Sequence, residues 1–241
     1  MVQPMSVLLV TIKFLDVDYF WSMTRALVLC LGLATLALGQ HATSITVGLQ
    51  LGGTLSWVTY AMQQYGLPRD LGFDFKAISF ASKDATRLAL RANEIQLVVD
   101  DFVEVQALRT QGFPVEAVYP YSLNVGGVVV PSNSSIRSGA DLRGRVIGVT
   151  SLTDKTFILL RAYSLRKYGF DPLRQSQVIA TGSPLMAELL ERGQLEAALP
   201  FWHHVARMEA TGKYREVISS QTMLGELGLP KDVPQLFIIV R

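Results

Sequence analysis

The sequence predicts an α/β protein in which one β-α-β-α-β unit is written twice. Three observations carry that reading. "TVGLQ" (46–50) and "VIGVT" (146–150) are short apolar runs with glycine at the same place, an offset of 100 residues. Each leads into a helical stretch that ends in Tyr-Gly with a proline just beyond: Tyr65-Gly66 and Pro68 in the first copy, Tyr168-Gly169 and Pro172 in the second. Each copy then closes on an amphipathic run broken at Asn93 or Gly193 and followed by a short apolar strand. Strands alternating with helices argue for parallel sheets with right-handed crossovers. Glycine followed by proline marks the helix ends.

Taken in order, the chain begins with a segment that is not part of either copy. From Met23 it reads "MTRALVLCLGLATLALGQHA": a basic residue, an apolar run from Ala26 to Leu38, and an exit ending in a small residue. Those are the parts of a secretory signal peptide. The run is shorter than the roughly 20 apolar residues of a typical membrane span. The expected natural start is Met23, with 1–22 as upstream sequence and 1–42 outside the mature fold. The rival readings are an uncleaved anchor, or a lipoprotein using Cys30, although Leu29 is not the small residue that lipid attachment wants.

The first lobe is expected over 43–124, with strands at 46–50 and 73–80 and helices at 54–68 and from 84. The segment 115–144 joins the copies, and a hinge is placed near 122–130 at Asn124, Gly126 and Gly127, where glycine permits rotation. The second lobe runs over 125–235. "QLFIIV" reads as a buried strand, so 236–241 is expected to return to the first lobe. A helix would normally cover such a strand. The expectation is therefore a C-terminal truncation with an apolar patch on the first lobe.

Composition narrows the function. A net charge of +2 with no Lys/Arg stripe gives no footprint for nucleic acid. The single cysteine excludes an intrachain disulfide and a Cys-based metal cluster. His203-His204 are adjacent and lack a third ligand at zinc spacing, so no metal and no cofactor is expected. No G-x-S-x-G is present, and the mature chain holds no cysteine nucleophile.

In open α/β sheets ligands sit beyond the carboxyl ends of the strands. Two facing lobes offer six such loops: 51–54, 81–83 and 100–101 from the first copy, and 151–154, 181–183 and 200–202 from the second. The candidates are Gly52, Gly53, Thr54, Ser82, Asp100, Asp101, Ser151, Thr153, Lys155, Thr181, Gly182, Ser183 and Trp202. Gly52 and Gly53 let a ligand reach the backbone, and free N–H groups at helix starts favour anions. Thr54, Thr153 and Ser183 either cap helices or donate to ligand oxygens. Asp100 and Asp101 either hold an amine or cationic heterocycle or act as solvated or capping groups. Lys155 is either a counter-charge for an acidic ligand or an exposed helix lysine. Trp202, with Phe201, either stacks on a ring or closes the core, and Trp57 reads as core.

"ITVGLQ", "SGADLRGRVIGVTS", "YGFDP" and "LLERGQLEAALPFWHHVARME" together resemble the periplasmic substrate-binding proteins of ABC importers. The nearest group serves nitrate, sulfonates, taurine and thiamine precursors. The resemblance covers about 45–241 and implies a type II, two-lobed fold with a parallel-dominated sheet in each lobe. It also implies a small-molecule ligand held between the lobes, a monomer, and a membrane permease and ATPase as partners. Asn93 and Gln96 depart from the glycine and aspartate common in the group. The alternatives are an enzyme on the same scaffold, of thiamine-precursor or menaquinone synthesis, and the sensing domain of a membrane receptor.

Expression from Met23 in a secreting host should give a mature N-terminus close after Ala42. N-terminal sequencing that finds the chain intact and cytoplasmic would sink the export reading.

Overall fold

The computed structural model describes residues 43–123 and 126–241. The expectations about 1–42, and about Asn124 in the hinge, lie outside the described residues.

The first copy supplies β1 (Thr43–Gln50), α1 (Leu55–Gln64), a short α2 (Leu67–Asp70), β2 (Phe73–Phe80), α3 (Lys83–Arg91), β3 (Leu97–Asp101), α4 (Phe102–Thr110) and β4 (Glu116–Leu123). After β5 (Gly127–Pro131) and a 3-10 turn, the second copy gives β6 (Val146–Val149), α5 (Lys155–Tyr168) and a short α6 (Pro172–Gln175). It continues with β7 (Gln177–Ala180), α7 (Ser183–Glu191), β8 (Ala197–Leu199), α8 (Trp202–Ala210) and β9 (Tyr214–Ser219). The chain then runs through α9 (Ser220–Glu226) to β10 (Pro234–Val240).

Two five-stranded sheets result, in the orders β2-β1-β3-β10-β4 and β7-β6-β8-β5-β9. The orders are the same if β10 and β5 are exchanged. Those two are the antiparallel strands: β10 runs against β3 and β4, and β5 against β8 and β9. Thus β5 carries the chain into the second sheet, and β10 carries it back into the first. This is the two-lobed fold of periplasmic binding proteins.

The repeat holds at the level of packing. Gln96 Oε1 accepts from Thr46 N at 2.9 Å, and Glu196 Oε2 accepts from Val146 N at 3.0 Å. Asn93 and Gly193 both take left-handed backbone, with φ of 61° and 68°, so the asparagine meets the same demand as the glycine. Gly48 and Gly148 are small for the same reason. A side chain on Gly48 would collide with Ile95, and a Cβ on Gly148 would lie 2.5 Å from Leu195 Cδ1.

Both faces of the second sheet are covered. Phe157, Leu160 and Tyr163 of α5 and Met223 of α9 pack on one, and Met186, Leu190 and Val205 of α7 and α8 on the other. The first sheet is covered less evenly. Leu90 and Leu108 of α3 and α4 pack with Val98 and Ile239 on one face. On the other, Leu55 of α1 packs over Val47 and Leu49. Further along that face Ile238 stands opposite Val99 and Tyr119, and is only half-buried. Tyr119 is 62% exposed. No helix among the described residues is long and apolar enough to cross a membrane.

Overfilling a packed core costs about 1–3 kcal/mol. For a chain of this size that is a melting point lower by roughly 2–12 °C. Gly148→Ala should show such a drop in a calorimetric scan, and an unchanged value would mean that Leu195 yields freely.

Candidate functional site

The loops at the carboxyl ends of the strands meet between the sheets, and buried charge dominates one side of the meeting. Lys83, at the start of α3, places its ammonium 2.5 Å from Asp101 Oδ2, 3.1 Å from Asp100 Oδ1 and 2.7 Å from Asp154 Oδ2. The first two carboxylates end β3 on the same sheet, and the third precedes α5 on the other. Arg87, one turn along α3, binds Asp100 through Nε and Nη2 at 2.7 and 2.9 Å. It also donates from Nη1 to Thr153 Oγ1 at 2.6 Å across the seam. Ser151 Oγ donates to Asp84 Oδ1 at 2.7 Å, a third bond between the halves.

The electrostatics follow from burial. Desolvation opposes the charge on Lys83, but Asp100, Asp154 and Asp101 outweigh it and hold its pKa above the ordinary lysine value. Burial likewise works against ionised Asp154, and the Lys83 and Lys155 ammoniums more than offset it and hold its pKa low. Arg87 is raised against its own burial, chiefly by Asp100. Lys155 goes the other way: burial lowers it, Asp154 only partly compensates, and Lys83 adds repulsion.

Several candidates are held by other protein groups. Asp100 and Asp101 are committed to Lys83 and Arg87, and Asp101 also caps α4 by accepting from Glu104 N at 3.0 Å. Ser82 caps α3, accepting from Ala85 N at 3.1 Å. Ser183 accepts from Phe201 N at 2.9 Å. Thr153 and Ser151 serve the seam, and Thr181 donates its N–H to Val149 O at 2.8 Å. Gly182 stands at the N-cap position of α7 without a side chain to cap it. The carbonyl of Gly52 meets His203 Nε2 at 2.5 Å.

Four candidates face one cavity of about 60 Å3 between the halves: Gly53, Thr54, Lys155 and Trp202. Reading the sequence alone misses several of their companions, among them Gln50, Tyr121, Thr150, Thr156 and His203. Gln50 and Thr150 are repeat equivalents, the first ending β1 and the second directly following β6, which was a usable signal. Tyr121 had none, because it comes from β4, outside the repeated loops. Its hydroxyl lies 3.2 Å from Thr54 Oγ1. Thr54 occupies the N-cap position of α1 but forms no side-chain cap bond.

An aromatic group closes the other side of the seam. Trp57 of α1 packs edge-on against Trp202 and His203, with ring centroids 6.5 and 5.3 Å away. It is 57% exposed, so the core position expected for it is corrected to a surface position beside Trp202 and His203. Burial lowers the pKa of His203 and His204. Among the described residues no three His, Cys, Asp or Glu side chains gather to hold a metal.

Removing one partner from a buried ion pair typically costs about 3–5 kcal/mol. Lys83→Met should therefore lower the melting point by roughly 6–20 °C. A drop under about 2 °C would show that Arg87 alone neutralises the aspartates.

The comparisons with known proteins fit this architecture. The family model described as NMT1/THI5 like matches residues 58–241. Among solved structures, the alkanesulfonate-binding protein SsuA from Xanthomonas axonopodis pv. citri, bound to MOPS, superposes with a TM-score of 0.66 at 20% identity. The superposition covers 82% of this chain and 65% of that one. The periplasmic nitrate-binding protein NrtA from Synechocystis PCC 6803 gives 0.65 at 17% identity, over 83% and 56%. A binding protein component of an ABC phosphonate transporter from Pseudomonas aeruginosa gives 0.61 at 11%, over 83% and 69%. At these identities the likeness is one of fold, and the chain spans 65% of the SsuA structure's length. No curated protein sequence matches it. With the family model matched over most of its length, the chain belongs to the NMT1/THI5-like family.

Proposed function

We propose that this protein is the extracytoplasmic substrate-binding component of an ABC importer, taking a small polar solute between its two lobes. The solute is of the sulfonate, nitrate, taurine or thiamine-precursor kind, and the partners are a membrane permease and its ATPase. The observation that carries the reading is the shared cavity. Gly53, Thr54 and Tyr121 reach it from the first half, and Thr156, Lys155 and Trp202 from the second. A water needs roughly 10–15 Å3 of such space. A volume of about 60 Å3 therefore suits a molecule of a few heavy atoms, held by both halves at once.

Two connections join the lobes, one from β4 to β5 and one from β9 through α9 to β10. In the first, Gly126 has a φ of 93° and backs onto Trp202, where a Cβ would lie 3.2 Å from its Cα. Gly127 is packed against Ile218 and Ser219 of β9 and α9's approach. Gly126 and Gly127 stand where the chain passes into β5, beside Trp202, and we assign the hinge to them. The protein acts as a monomer that closes, delivers and reopens without chemistry, after export through its N-terminal segment.

A ligand that binds only the folded form stabilises it by about 2.7 kcal/mol at a hundredfold excess over Kd. A thermal-shift panel of sulfonates, nitrate, carboxylates, amino acids and pyrimidines should yield one class that raises Tm by roughly 5–10 °C. The shift should shrink when either Thr54 or Thr156 is replaced by a bulky residue. A folded chain that responds to none of the panel, or to the mutation of only one half, would remove the two-lobe clamp.

A further inference from the structure

Two imidazoles of α8 meet the first half at the loop of Gly52. His203, in the first turn of α8, is 6% exposed, and its Nε2 donates to the carbonyl of Gly52 at 2.5 Å. His204 follows it, and a Cβ on Gly52 would lie 3.0 Å from its Nε2. The two ring centroids are 4.5 Å apart. Donation to a carbonyl fixes the proton of neutral His203 on Nε2 and leaves Nδ1 bare. His203 Nδ1 and His204 Nε2 are both buried and, among the described residues, have no hydrogen-bond partner.

That arrangement suits neutral rings and opposes charged ones. A second proton on His203 would sit on Nδ1, and a buried donor left unpaired is costly. Trp57, Trp202 and Phe201 pack around the ring and offer no acceptor atom. The nearby charges do not compensate. Arg207, one turn along α8, repels both rings, and the rings would repel each other. The helix α1 bears no charged side chain. Among the described residues Asp154 is the one carboxylate lining the cavity with His203; it is held by Lys83 and Thr156 N, and Lys155 beside it is a further cation. On α7, Glu188 and Glu191 pair with Arg192 and Lys213. Glu209 of α8 accepts from Glu216 N, and the Glu216 carboxylate of β9 lies against Gly127.

We infer that His203 and His204 form an acid-sensitive latch between the halves: it holds while the rings are neutral, and their protonation parts α8 from the Gly52 loop and opens the cavity that His203 lines. The inference goes beyond the binding-protein reading and does not depend on which solute the cavity takes. In the closed form burial keeps both rings below the ordinary histidine pKa of 6.5, and rings released to water return to it. The latch is therefore fully present above about pH 6.5 and is lost as the pH falls through the lowered values. The Lys83–Asp154 bridge does not titrate in that window, because its ammonium is held above the lysine range and its carboxylate below the carboxylate range.

The test uses the full chain without added solute. Ring-nitrogen NMR follows both histidines through a pH titration, and small-angle scattering is recorded at about pH 7.5 and about pH 5, either side of the histidine range. In the wild type both rings should titrate below about 6.5, and the open-to-closed ratio fitted from scattering should rise at least about threefold in acid. The double variant His203→Gln, His204→Gln keeps a side-chain N–H for the Gly52 carbonyl but does not titrate, and should scatter as the closed form at both pH values. A His203 ring that titrates at or above about 6.5 overturns the inference. Wild-type scattering that is the same at both pH values overturns it too, and neither measurement needs a variant to fold. A double variant that opens in acid as far as the wild type also overturns it, by placing the sensitive group elsewhere. None of these outcomes touches solute binding at neutral pH, so the binding-protein reading stands or falls separately, on the thermal-shift panel.

Discussion

The arrangement depends on one ammonium. Lys83 is nearly inaccessible to water, and its three carboxylates come from two different sheets. Asp100 and Asp101 are its own sheet's, and Asp154 arrives only when the second half is in place. A buried ion cluster is poor evidence for stability, because desolvation consumes most of what the charges gain. It is demanding of geometry, however. With Arg87 and Asp84 bonded to Thr153 and Ser151, it fixes how the halves meet to within hydrogen-bonding tolerance. The cavity exists because those contacts hold its two walls at a set distance.

The duplicated unit makes the asymmetry of this seam visible. At the offset of 100, Lys83 corresponds to Ser183, Asp100-Asp101 to Pro200-Phe201, and Asp154-Lys155 to Thr54-Leu55. The two sides of the interface are the same loops used twice. One side has become ionic, and the other is built from hydroxyls, aromatic rings and a leucine. Lys155 and Leu55 face the same space from equivalent helix starts. The cavity is therefore polarised by divergence of a repeat and not by a separate binding motif.

The sequence shows the scaffold better than the site. Offset glycines, helix ends and strand-length runs are local features, and each has a physical cause that one copy confirms for the other. Gly48 and Gly148 are forced by Ile95 and Leu195, which are themselves 100 residues apart. The loops at the strand ends were equally legible. Which of their side chains face a ligand was not, because that is decided by partners distant in sequence. Asp100 and Asp101 look available until Arg87 and Lys83 of α3, ordinary helix cations in one dimension, are seen to consume them. Trp57 sits on a helix with a mixed face, and only the position of α8 gives it Trp202 and His203 as neighbours. Tyr121 enters from a strand whose place beside β10 no periodicity could give.

The position of β10 has a consequence for the newborn chain. It pairs along its length with β3 and β4, so Ile239 stands opposite Val98 and Ala117. Everything in the second sheet is translated between those partners. A ribosome that has released the first copy therefore leaves β3 and β4 flanking an unfilled slot, with backbone groups of both strands unpaired, until the second half has been made. Vacant strand edges invite foreign strands. For this topology the first half to leave the ribosome is the last that can finish its hydrogen bonds, and it is the half that a holding chaperone would have most reason to shield.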